Sequence, residues 1–187
     1  MSTLIFTEAQ KRALVEIART AVVDVTTGQG ARPGAIVVAD AFPEASGAFV
    51  TLKREGRLRG CIGTLNCRRP LAEEVARVAV SAAREDPRFE PLRVSELDDL
   101  DVEVSILGPL ETIDPFDEHA FEIGSHGLVV EQGRRRGLLL PQVATEWGWN
   151  REMFLSQACV KAGLAPDAWR RGAKVYRFAG EVFGGQG

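Results

Sequence analysis

Apolar residues recur at helical spacing from Leu14 to Val25, where Leu14, Ile17, Ala18, Ala21, Val22 and Val25 form one stripe. Ahead of them Thr7 and Gln10 have the spacing of a capping box, the hydroxyl accepting an orphan amide while the glutamine reaches back. Gly28 and Gly30 stop this helix. The pattern then changes: Gly47 to Leu52 and Arg57 to Leu65 are β-compatible runs joined across "KREG", a hairpin. Pro70 opens a second helix with Leu71, Val75, Val78, Ala79 and Ala82 on one side, ending at "EDPRF". In "LDVEVSIL", Leu100, Val102, Val104 and Ile106 alternate with Asp101, Glu103 and Ser105, the mark of a half-buried strand. "HGLVVEQGRRRGLLLPQ" predicts two short strands around a turn at Gln132 and Gly133. Asn150 caps a third helix whose apolar side carries Phe154, Leu155, Ala158, Cys159 and Ala162 and which Gly163 ends. "AKVYRFAGEVF" has strand character, and "GGQG" at the end is expected to fray.

Helices interleaved with hairpin-linked strands predict an α+β fold: a mixed, largely antiparallel sheet flanked by helices, not a doubly wound parallel sheet. No repeat, linker or low-complexity block divides the 187 residues, so residues 1–187 are taken as a single domain. The net charge of -3 and the absence of an aromatic–basic motif argue against a nucleic-acid role. No apolar run approaches the roughly 18 residues of a membrane helix, and the N-terminus lacks a basic segment followed by an apolar stretch. Three cysteines without tight spacing make no disulfide framework, so the expected compartment is the cytoplasm, with thiols reduced.

No cofactor or metal is expected. The cysteines and the two histidines, His119 and His126, lack CxxC, HxxxH or HExxH spacing. "GQGARPG", residues 28–34, fits neither the dinucleotide nor the P-loop spacing and is taken as a turn. A serine hydrolase finds no GxSxG elbow.

The chemistry gathers at "RLRGCIGTL". In a regular strand Arg57, Arg59, Cys61 and Gly63 share one face, and Leu58, Gly60 and Ile62 the other. Arg59 then flanks the thiol, and one positive charge at about 5 Å favours a thiolate by roughly 3 kcal/mol at an effective dielectric near 20. Gly63 leaves the same face open, although a glycine inside a strand also marks a bulge or a close approach, and a bulge would break the count. Two readings stand: a reactive thiol, or a small residue in tight packing. Cys159, on an apolar helix face, is assigned to the core, and Cys67 to an exposed loop. His126, among small neighbours in "GSHG", is the candidate acid or base, with Glu103 and Glu131 as carboxylates to orient it. Gly60, Gly63, Thr64, Glu103 and Glu131 complete the candidate substrate- or partner-binding set. Trp147 and Trp149 are assigned to the core and the Arg134–Arg136 run to a solvated hairpin edge, with partner contact as the alternative for both.

"GAFVTLKREGRLRGCIGTL", "SAAREDPRFEPLRVSEL", "VEVSILGPLETI" and the run from His126 to Arg170 resemble the AMMECR domain family. Leu58 to Gly63 match its LRGCIG hallmark in full, Leu140 to Ala144 match LPQVA, and the resemblance covers nearly the whole chain. The bacterial and archaeal branch is the A component of the AmmeMemoRadiSam system. The resemblance implies an α+β fold of two unequal lobes sharing a cleft, with the hallmark on the sheet. It also implies association with a Memo-like protein of the extradiol-dioxygenase superfamily and a radical SAM protein. It implies no reaction. Two functions follow from it. In one, an enzyme or enzyme component acts on a small molecule with Cys61 as nucleophile or covalent acceptor, Arg59 as its support or anion clamp and His126 as acid or base. In the other, a non-catalytic module binds those partners.

Overall fold

The structure, a computed structural model, describes residues 6–30 and 42–185. Residues 31–34 of the expected turn, and 186–187 of the expected fraying end, lie outside them. The described residues divide into two compact units, Gly108–Gly180 being one, and those from 6 to Leu107 together with those from Glu181 to 185 the other.

The first helix, α1 (Glu8–Thr27), begins at the expected capping box. The Gln10 N–H donates to Thr7 Oγ1 at 3.1 Å, and the Thr7 N–H to Gln10 Oε1 at 2.8 Å. Its stripe of Leu14, Ala18 and Val22 is wholly buried. Strands β1 (Gly47–Arg54) and β2 (Arg57–Thr64) form the predicted hairpin. Its two-residue turn puts Glu55 (φ 50) and Gly56 (φ 73) in the left-handed region, the geometry that matches strand twist. Helix α2 (Leu71–Arg84) and strand β3 (Leu100–Leu107) complete this unit's frame, with β3 antiparallel to β1 on the side away from β2. Val50 and Leu52 of β1 and Val102, Val104 and Ile106 of β3 form one core with Leu14, Ala18 and Val22 of α1 and Val75, Val78 and Ala79 of α2. Close approach is bought by one glycine: a Cβ at Gly60 would lie 2.4 Å from the carbonyl oxygen of Ala82 in α2.

The other unit holds β4 (Glu111–Ile113), β5 (His126–Gln132), β6 (Arg135–Leu139), α3 (Pro141–Trp147), α4 (Arg151–Lys161) and the first part of β7 (Lys174–Gly184). Strand β7 pairs antiparallel with β4 and β5, and β5 with β6. Leu128, Val130, Phe154, Leu155, Ala158, Cys159 and Trp169 make its core. Asn150 caps α4 as expected, its Oδ1 accepting the Met153 N–H at 2.9 Å.

The architecture is thus α+β, with every recorded strand pairing within the two units antiparallel. The periodicity gave no sign of α3 or β4, because seven and three residues show too little of a period. Trp147 is a correction: it ends α3 at 71% exposed and stacks on Trp149 at 6.1 Å between ring centroids, while the buried tryptophan is Trp169. Among the described residues no helix is long and apolar enough to cross a membrane.

Candidate functional site around Cys61

Among the described strands β2 stands at the end of the sheet order, paired with β1 alone. Across the sheet Cys61 stands opposite Thr51, and Thr51 opposite Glu103, so the three form one row on the face turned away from the Val50 and Leu52 side. The Thr51 hydroxyl lies 3.2 Å from Cys61 Sγ. Glu103 accepts from Lys53 Nζ at 2.7 Å. In the next row Gly63 faces Phe49, and a Cβ at Gly63 would lie 2.2 Å from Phe49 Cδ1. The aromatic ring therefore occupies the space that a glycine at this position was expected to leave open. Thr64 closes the strand, its Oγ1 accepting the Asn66 N–H at 3.2 Å.

The parity count fails at Arg59. Leu52 opposes Gly60 but Lys53 opposes Leu58, so Arg59 is the extra residue of a bulge. Its guanidinium forks onto Glu96, Nε to Oε1 at 2.9 Å and Nη2 to Oε2 at 3.0 Å, and Arg54 adds a contact at 3.2 Å. Arg54 comes from the Val50 and Leu52 side of β1, so Arg59 is drawn away from the thiol's face and its charge is matched. These cations, Arg59 first, hold the Glu96 carboxyl at about 2 against the opposing effect of burial. A carboxyl depressed on folding stabilises the native state above its ordinary value of 4.5 and loses that contribution as pH falls through about 2. For a group 15% exposed, the shift corresponds to something on the order of 3 kcal/mol. Glu96→Gln is accordingly expected to flatten the rise of melting temperature between about pH 2 and 4.5, read by melts across that range.

The group that does reach Cys61 comes from "EDPRF", just past α2. Asp86 Oδ2 accepts the Cys61 N–H at 2.9 Å, and Arg88 Nη2 donates to the Cys61 carbonyl at 3.3 Å. Arg88 also forks onto Asp86, Nε to Oδ1 at 2.9 Å and Nη2 to Oδ2 at 2.7 Å. Asp86 is 4% exposed. Hydrogen bonds from Arg88 hold its carboxyl well below the usual carboxylate range despite burial, helped by the amides of Cys61 and Arg88. The Asp86 hydrogen bonds in turn favour the charged guanidinium. Phe89 lies against both arginines, with Arg59 5.7 Å and Arg88 5.5 Å from its ring centroid. The sequence treated Asp86 and Arg88 only as a helix stop. The available signal was an aspartate two residues before an amide it can accept, and the Arg88 N–H does donate to Asp86 Oδ1 at 3.1 Å.

The other candidates lie elsewhere. Cys67 packs against the first core instead of lying exposed, and burial, then the charge of Glu74, pushes its thiol up to about 11. Cys159 is fully buried, and burial raises its thiol too. His126 begins β5 in the second unit, where its Nδ1 accepts the Glu122 N–H at 3.0 Å. Burial, then the charge of Arg177, disfavours its protonated form. Glu131 is five residues along the same strand, which places it roughly 16 Å away at about 3.3 Å per residue and on the opposite face. It lies 3.8 Å from Arg136 and does not orient the histidine. Among the described residues no three His, Cys, Asp or Glu gather as metal ligands would.

Cys61 thus lies on the sheet face opposite the core of α1 and α2, its backbone held by an Asp–Arg fork, in a domain of the α+β class. The AMMECR1 family model matches residues 15–183, and the chain belongs to that family. It is 47% identical over 177 residues to a protein of Methanothermobacter thermautotrophicus, covering 92% of each chain. With a protein of Thermococcus gammatolerans it shares 51% over 149 residues, 75% of this chain and 73% of that one. The crystal structure of protein PH0010 from Pyrococcus horikoshii superposes with a TM-score of 0.77 at 42% identity, covering 90% of this chain and 88% of that one.

Proposed function

We propose that the Cys61 face is the working surface of the protein, with Cys61 the nucleophile or covalent acceptor of an enzyme or enzyme component acting alongside a Memo-like and a radical SAM protein. The observation that carries this reading is the row Cys61–Thr51–Glu103, with a hydroxyl 3.2 Å from the sulfur. A hydroxyl there can donate to a thiolate, and the backbone of the same cysteine is fixed by Asp86 and Arg88. In the step, the thiol proton goes to solvent, sulfur forms a bond to an electrophilic carbon, and the leaving group departs with its electron pair. Oxidation state is unchanged. All these residues belong to one unit, and His126 is not among them.

Alkylation of the folded chain by a neutral reagent near pH 7.5, followed by peptide mapping, is expected to mark Cys61 while leaving Cys67 and Cys159 unmarked. Cys67 keeps its proton up to about 11, and Cys159 has no solvent access. A folded protein inert at Cys61 removes the nucleophile.

A second reading has its own observation. Gly60 and Gly63 are accounted for by packing against Ala82 and Phe49. In that case the domain is a non-catalytic module for the same partners. Cys61→Ser decides between the readings, since retention of both partner co-purification and pathway output favours the module.

A further inference from the structure

We propose that Arg88 is the anion anchor for the substrate of Cys61, and that this substrate is an electrophile carrying a carboxylate next to its reacting carbon. The inference rests on the thiol reading above and supplies its substrate class. Three features support it. First, the guanidinium is held in one orientation: Nε and Nη2 face Asp86, Nη2 also meets the Cys61 carbonyl, and the Phe89 ring lies 5.5 Å from its carbon. Its remaining nitrogen, Nη1, has two N–H groups with no hydrogen-bond partner among the described residues. Second, the ion pair is oriented. The Asp86 side chain is 2% exposed and the Arg88 side chain 53%, so the negative end is inside and the positive end meets solvent. Third, the anchor is near the sulfur. Arg88 Nη2 is 3.3 Å from the Cys61 carbonyl oxygen, and only four bonds separate that oxygen from Sγ, a span of about 5 Å at most.

Arg59, the arginine that the sequence offers as a clamp, is poorly suited to this task. Its side chain is 15% exposed, and both of the nitrogens recorded on Glu96 are taken up in that fork. A fixed guanidinium edge that is open to solvent suits a carboxylate, which needs charge and one or two N–H donors. The step is a substitution at carbon: the carbon–sulfur bond forms, the bond to the leaving group breaks with its electron pair going to that group, and the thiol proton passes to solvent.

The test compares two reagents that differ in charge, iodoacetate and iodoacetamide, on the full chain at one pH, with N-acetylcysteine amide as the reference thiol. The readout is the ratio of the two rates at Cys61, because any effect of Arg88 on the amount of thiolate enters both rates equally. The ratio is expected to exceed that of the reference thiol by about threefold or more and to fall toward it in about 0.5 M salt, as charge–charge attraction is screened. In Arg88→Gln it should fall to the reference value at low salt, and in Arg88→Lys it should be partly retained. If Arg88→Gln does not fold, the wild-type ratio and its salt dependence decide alone. A ratio equal to that of the reference thiol and insensitive to salt overturns the anchor while leaving the nucleophile intact. If neither reagent reacts at Cys61 under conditions that modify the reference thiol, the nucleophile reading itself fails, and the anchor with it.

Discussion

Gly60→Ala is expected to destabilise the fold by about 2–3 kcal/mol, a fall of roughly 5–10 °C in melting temperature. Gly60 stands opposite Leu52, on the face of β2 that meets α2. A methyl group there would sit 2.4 Å from the Ala82 carbonyl oxygen and 3.4 Å from its carbon. Both belong to the helix backbone, so no side-chain rotation relieves the overlap. Either α2 lifts from the sheet or the edge strand bends, and each exposes part of a core in which Val75, Val78 and Ala79 are wholly buried. Thermal and urea unfolding measure the loss, and a variant as stable as the parent would contradict the contact between α2 and β2.

Asp86→Ala should cost about 3 kcal/mol near neutral pH, since charge-assisted hydrogen bonds at a buried carboxylate contribute 1.5–3 kcal/mol apiece but are not additive. The alanine removes the acceptor for the Cys61 and Arg88 amides and leaves Arg88 without its carboxylate partner. The deficit should depend on acidity in a definite sense. The folded carboxyl lies below its ordinary value of 3.8, so its contribution is complete above that value and is lost as pH falls below it. Urea unfolding of parent and variant should therefore show a constant gap at neutral and mildly acidic pH that narrows in strong acid. A gap independent of pH would show that the carboxylate charge is not what holds Cys61.

Much of the frame was legible because it is local. The stripe of α1, the Thr7–Gln10 capping box, the Glu55–Gly56 turn and the Asn150 cap depend on neighbours within four residues, and each forms as its spacing requires. The surroundings of Cys61 were not legible in the same way. Cys61 could be singled out, yet its strand neighbours could not be assigned by alternation, because the bulge at Arg59 shifts the count by one. The residues that hold it, Asp86 and Arg88, are 25 and 27 residues away in the chain. They meet it only because α2 packs on the sheet and delivers its own end to the edge of β2. No periodicity in either segment encodes that meeting. The same limit explains Trp147, whose surroundings in the sequence are helical but whose place at the end of a seven-residue helix leaves it exposed.

Asp86 and Arg88 together present one acceptor and one donor to the outward N–H and C=O of a single residue, as a neighbouring strand would. Unpaired groups along a sheet edge are where separate chains join into larger aggregates, and a buried carboxylate with its arginine is a poor surface for such growth. The fork that seats the thiol thus also works as a stopper against polymerisation at that point of β2. Loosening it would reopen that point of the strand, so resistance to strand-to-strand association and the seating of the Cys61 backbone depend on the same two side chains.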